Sequence, residues 1–188
     1  MPSVSATIAM ERALHNHPVF KDYEIINVAG DNIKGTKKSS DEYEKENAAY
    51  GVARTAIHNH EKTITLSVQR LTTSVTIPEW TAVFILSEIR SAQTYMQAAF
   101  RAQNPCVFQI KNNGKDRFVR KTNSYVFDFN PERSLDIIEQ FANDLYSNTA
   151  AGRGTYEDRK NNISELLQYL PVAGENEDGT FVQLTPDQ

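Results

Sequence analysis

The chain has 188 residues, 39% of them hydrophobic, which is enough for one globular domain with a real core. A net charge of −4 and a sequence pI near 5.6 exclude a freestanding, strongly basic nucleic-acid binder, but not a phosphate-binding strip on one face. Cys106 is the single cysteine, no run approaches the ~18 apolar residues of a membrane span, and there is no signal-peptide pattern, so a soluble protein of a reducing, cytoplasmic compartment fits best.

In chain order, Ser3 or Ser5 caps a first helix with Ile8, Met10, Ala13 and Leu14 facing inward, and His17-Pro18 ends it. Residues 23–28 (YEIINV) read as a short buried strand, and Ala29-Gly30-Asp31 as the turn that leaves it. After a polar connection, Ser40 with Asp41-Glu42 opens a long helix through Tyr43, Ala49, Tyr50, Val52, Ala53 and Ile57. Residues 63–68 and 81–86 are rich in β-branched side chains and nearly continuous in hydrophobicity, which favours parallel strands covered on both faces. A Thr-rich turn closed by Pro78 lies between them. Residues 91–102 form an amphipathic helix, with Met96, Ala99 and Phe100 set against the sheet and Gln97 and Arg101 sharing another face.

The texture then changes. Residues 107–111 and 117–121 alternate apolar and polar around Asn113-Gly114, a strong hairpin signal. Residues 125–129 (YVFDF) read as another core strand. Asn130-Pro131-Glu132 supplies an N-cap, a proline at the first helical position and an early acid, so a helix follows to about residue 146. Thr155 starts a last helix with Ile163, Leu166, Leu167 and Leu170 inward, stopped by Pro171. The acidic tail from 174 to 188 reads as a loop or a marginal hairpin. Strands alternating with helices point to an α/β, doubly wound, mostly parallel sheet. Residues 1–171 make the domain and 172–188 a tail or linker. A fold of this kind normally begins with a strand, so the expectation is that its first strand lies upstream of Met1.

Two features carry chemistry. The Thr72-Thr73-Ser74-Val75-Thr76-Ile77-Pro78 run puts hydroxyls and backbone N–H groups where a parallel strand ends, a place suited to phosphates. Its plain alternative is a strand-to-strand turn with satisfied hydroxyls. Arg101 can grip a phosphate, or simply pair on the surface as most helical arginines do. His15-Asn16-His17 and His58-Asn59-His60 make no zinc site, because side chains two apart on a helix diverge. Arg70 and Lys62 could touch a strand's backbone but read better as members of a solvated face, and Asp128 reads as a loop hydrogen-bonding residue beside the Asn130 cap. There is no G-x-x-x-x-G-K-[ST] loop and no acidic Walker B box, so the chain does not by itself hold a triphosphate and Mg²⁺.

Taken together over residues 2–130, these strings resemble superfamily two DEAD/DEAH-type helicases and translocases, in particular the helicase-like subunits of type I and type III restriction systems. Pro2-Ser3-Val4-Ser5 looks like the end of motif IV. The Thr72–Pro78 run is similar to motif V, with Ser74 in place of the usual Gly and Thr76 in place of the usual Asp. Tyr95-Met96-Gln97-Ala98-Ala99-Phe100-Arg101 looks like motif VI, and Asn104 stands where its second arginine would fall. Gly30-Asp31 matches a Gly-Asp found after the second strand of many such motors.

The resemblance implies the second, C-terminal RecA-like domain, with an inserted β-hairpin and C-terminal helices. Arg101 and Gln97 would be its catalytic residues, Arg101 also binding the nucleotide. Thr72, Thr73, Ser74 and Thr76 would contact nucleic acid, double-stranded DNA by this reading. ATP would be shared with an N-terminal RecA-like domain of the same parent chain, which would hold Mg²⁺. No membrane partner is implied. Two rivals remain open: a non-catalytic α/β interaction module, and a flavodoxin-like small-ligand binder, weakened by the lack of a phosphate loop after the first strand.

Overall fold

A computed structural model describes residues 1–31, 33, 41–68, 70–71, 75–112, 115–176, 178–183 and 185. The chain divides into two units: residues 1–88 with 96–127, and residues 89–95 with 128–188. The architecture is mixed α/β, with short parallel and antiparallel pairs of strands.

The first unit begins with α1 (Val4–Asn16), where the Ser3 hydroxyl accepts the Ala6 N–H at 3.1 Å and so satisfies one of the otherwise unpaired donors of the first turn. Its buried face differs from the one periodicity selects. Thr7 is fully buried and its hydroxyl donates to the Val4 carbonyl, whereas Ile8 is exposed. A hydroxyl satisfied within its own turn can be buried cheaply, so apolar spacing alone misjudged the face. Asp41 caps α2 (Glu42–Asn59), accepting the Tyr43 N–H at 2.8 Å.

β1 (Glu24–Asn27) and β2 (Thr63–Leu66) pair in parallel, with Glu24 opposite Thr63 and Asn27 opposite Leu66. The Lys62 and Leu66 carbonyls accept from Glu24 and Val28 on β1's side. Strand carbonyls alternate in direction, and the next one along, that of Ser67, accepts instead from the Met1 ammonium at 3.1 Å. β3 (Ala82–Ile85) pairs with β6 (Tyr125–Asp128), and β4 (Val107–Asn112) pairs antiparallel with β5 (Lys115–Arg120). The expected hairpin is therefore present, although its Asn113-Gly114 tip lies outside the described residues.

The core of this unit gathers Ile26 and Val28 from β1 and its end, Ala49 and Ala53 from α2, and Leu71, Val75 and Ile77 from the connection after β2. β6 departs from the core strand expected. Tyr125, Val126 and Phe127 are all exposed, and the rings pack on one another, Phe84 on Phe127 at 4.6 Å and Tyr125 on Phe127 at 6.3 Å between centroids. An apolar run shows that a strand prefers cover but does not say which element supplies it.

The α3 helix (Ala92–Ala99) has its residues up to Tyr95 assigned to the second unit and those from Met96 to the first, and it tightens into a 3₁₀ turn at Phe100–Gln103. In the second unit, Asn130 caps α4 (Pro131–Asp144), accepting the Arg133 N–H at 3.1 Å. Thr155 and Asp158 form a reciprocal capping box on α5 (Tyr156–Tyr169), whose Leu166 and Leu167 are buried. Thr149 is fully buried; its hydroxyl donates to the Asn143 carbonyl at 2.8 Å and accepts from Asn162 at 2.9 Å. The tail forms a short hairpin, β7 (Ala173–Glu175) with β8 (Phe181–Gln183).

Candidate functional site

The segment that follows β2 is held by side chains from well-separated parts of the first unit. Upstream, Arg70 donates to the Val28 carbonyl at 3.3 Å, to the Gly30 carbonyl, and to the Asp31 carboxylate at 3.3 Å. Its side chain is only 12% exposed, so the solvated face expected for it is corrected. A guanidinium can satisfy several carbonyl oxygens at once, and the end of β1 presents two. Leu71 has a positive φ of 59°, a conformation costly for a branched side chain, and its N–H donates to Glu46 of α2 at 2.7 Å. Gly30 has φ of 76°, and a Cβ there would sit 3.2 Å from Val4 of α1, so this turn requires glycine.

Downstream, Val75 and Ile77 are buried while Thr76 between them is exposed. Extended backbone sends successive side chains to opposite sides, so burying the two apolar residues turns the Thr76 hydroxyl to solvent. Arg54 of α2 then grips Glu79 through both carboxylate oxygens, at 2.7 and 2.6 Å. Lys121, just beyond β5, donates to the carbonyls of Pro78 at 2.7 Å, Trp80 at 2.9 Å and Ala102 at 2.9 Å.

Arg101 is half-buried, and its guanidinium donates to the Val75 carbonyl. The arginine singled out from sequence therefore touches the Thr72–Pro78 run singled out beside it. It lies on the 3₁₀ turn and reaches back to its own unit. Gln97 is exposed near the end of α3, between the buried Met96 and Ala98. Thr72, Thr73 and Ser74 lie outside the described residues, bracketed by Leu71 and Val75.

The electrostatics follow from these contacts. Lys45 donates to Asp31 at 2.9 Å and to Glu42 at 2.8 Å. The Lys45 bond, with Arg70 adding, holds the Asp31 carboxyl below its usual range, while Glu42 and Asp31 raise the Lys45 ammonium. Burial lowers the Lys121 ammonium, against an opposing pull from Cys106 and Glu79. In the second unit, Asp128 accepts from Asn130 N at 3.0 Å, as a loop hydrogen-bonding residue should, but it is also nearly buried in an ion pair with Arg133. Burial raises the nearby Tyr95 hydroxyl.

Lys121 is the residue that sequence reasoning missed, and Arg70 one that it named but assigned to a solvated face instead of to the strand backbone it touches. Arg70 carries a weak signal, a cation just past the end of a buried strand. Lys121 carries none, since it occupies an ordinary polar position at a hairpin's end. Among the described residues, no three His, Cys, Asp or Glu side chains gather as metal ligands, and no helix is long and apolar enough to cross a membrane.

The chain is 27% identical over 177 residues to a protein of Mycoplasma pneumoniae provisionally named as the C-terminus of a type II restriction enzyme and methyltransferase, RM.MpnORF110P. The match takes in 93% of this chain but only 22% of the relative, so the chain spans about a fifth of its length. No protein-family profile and no solved structure matches.

Proposed function

We propose that this chain is the second motor domain of an ATP-dependent DNA translocase or helicase belonging to a restriction-modification system. The observation that carries the reading is the hydrogen bond from Arg101 to the Val75 carbonyl, because it joins the motif VI-like helix end to the motif V-like segment. A motor must couple its nucleotide to its track, and here the candidate nucleotide-sensing arginine bonds the carbonyl of Val75, the residue before the candidate DNA-contacting Thr76. The similarity to part of a much longer restriction-modification protein supports the same context.

On this reading the chain would supply half of a nucleotide site. Arg101 and Gln97 would meet the phosphates of ATP, while a Walker loop and the Mg²⁺ ligands would come from another RecA-like domain of the parent. Bound there, ATP would supply the phosphoryl transfer. Arg101 would exchange the Val75 carbonyl for a phosphate oxygen and stabilise the charge that develops on it. Thr72, Thr73, Ser74 and Thr76 would receive the DNA backbone, which carries no sequence information by itself.

The alternative, a non-catalytic α/β module, has one observation in its favour: Arg101 already has a structural partner in its own unit. One experiment separates the two. In the intact parent protein, Arg101→Ala should lower DNA-stimulated ATP turnover by about 10²-fold or more with ATP binding retained, since the contact strengthens in the transition state. Turnover equal to wild type would leave only the structural module. The isolated chain should show no turnover above background.

A further inference from the structure

We infer that the outer face of the β4–β5 hairpin is a further nucleic-acid contact, with Phe118 stacking on a base of an unpaired strand and Arg120 on its phosphate. The cross-strand pairs Val107–Arg120 and Gln109–Phe118 lie on one face of the ladder, because opposed residues in an antiparallel pair point the same way. All four are exposed, Phe118 at 67% and Val107 at 61%. Phe108 and Val119, on the opposite face, are half-buried. Ile110, on that same opposite face, is exposed at 47%, and the outer face leaves an aromatic ring in water with an arginine two residues away.

Charge decides the kind of partner. Residues 107–121 hold Lys111, Lys115, Arg117, Arg120 and Lys121 against the single acid Asp116, within a chain whose net charge is −4. The register sets Arg120 on the Phe118 face together with Asp116, and Arg117 on the opposite face, while Lys121 is turned to the carbonyls it holds. The hairpin as a whole, rather than one face of it, is basic within an acidic chain, and such a ribbon complements a polyanion. A ring flanked by arginine adds what a base face needs and what a purely phosphate-binding or acidic-peptide surface would not require.

The hairpin is also tied to the candidate site. Lys121 follows Arg120 directly, its N–H closes the hairpin base on the Cys106 carbonyl at 2.8 Å, and its ammonium holds Pro78, Trp80 and Ala102. A strand held at Arg120 would therefore pull on the turn after Thr76 and on the residue beside Arg101. The inference rests on the proposed function only for the choice of DNA as the polyanion.

The test uses the 188-residue chain and two labelled probes, an oligothymidylate of about 20 nucleotides and a duplex of the same length, at about 50 and 200 mM salt. Fluorescence anisotropy should show tighter binding to the single strand. Phe118→Ala should weaken it roughly five- to tenfold at both salt levels. Arg120→Ala should weaken it mainly at low salt and lower the salt slope by about one. Tyr169→Ala, an exposed ring of the second unit, should change nothing, and circular dichroism should be the same for all four proteins. Wild type that fails to bind at low salt, or unaltered affinity in both hairpin variants, overturns the inference. So does a Phe118→Ala variant that loses self-association while its DNA binding stays intact, because the face would then be a protein contact. ATP turnover is not read, so this contact and the role of Arg101 fail separately.

Discussion

Arg101 and Val75, 26 residues apart in the chain, are joined by a hydrogen bond from guanidinium to main-chain carbonyl. The bond makes the end of α3 a strut for the connection that follows β2. Any movement of one segment is felt by the other, which is the property a nucleotide-to-track coupling needs.

Removing that strut should have a modest structural cost. In the isolated chain, Arg101→Ala should lower stability by about 1 kcal/mol, the net worth of one part-buried hydrogen bond. For a chain of this size the melting temperature should fall by about 2–4 °C. A drop several times larger would mark Arg101 as a buried structural linchpin and weaken its assignment as a residue kept for a phosphate.

The alternation at Val75, Thr76 and Ile77 predicts a sharp contrast between neighbours. Ile77 is fully buried, so Ile77→Ala should cost about 2–5 kcal/mol in lost burial and cavity. Thr76→Ala should stay within about 0.5 kcal/mol, while weakening DNA binding by the parent protein. Denaturant titration followed by Trp80, the single tryptophan, which packs on this core, measures both. Equal costs at the two positions would mean the segment's faces are misassigned.

Lys121 gives a third expectation. Replacing it by methionine keeps much of the packing but leaves three carbonyls without their donor, so stability should fall by about 2–3 kcal/mol. Lys121→Arg should restore little of it, since a planar fork cannot aim at three carbonyls that surround one point. Full recovery in the arginine variant would show that charge, not geometry, matters there.

The Asp31 carboxyl supplies a pH dependence with a definite sign. Lys45 first, then Arg70, lower its pKa in the folded state below the ordinary 3.8, so at acid pH the unfolded chain binds more protons. Its contribution is complete above 3.8 and is lost as pH falls through the folded value. Asp31→Asn should flatten the acid limb of a stability-against-pH curve. An identical limb in the variant would exclude this carboxylate as a source of acid sensitivity.

What could be read from the sequence was what neighbours in the chain dictate. Ser3, Asn130 and Thr155 were recognisable as helix caps because a cap bonds to an N–H two or three residues away; at α2 the cap is Asp41, next to the Ser40 that the sequence offered and that lies outside the described residues. The hairpin around Asn113-Gly114, the strands β1 and β2 and the Arg101 and Thr76 candidates followed from equally local patterns. The glycine at position 30 was legible as a turn.

Only the tertiary structure decided the rest. It joined Arg70 to the end of β1 across 40 residues or more, and Lys121 to Pro78 and Trp80 across 43 and 41. It also left the aromatic residues of β6 and the ring of Phe118 exposed, and buried Thr7 in place of Ile8. The physical reason is common to all of these. A side chain's composition states what kind of partner it needs, but which backbone carbonyl or which covering element it meets depends on how distant segments come together.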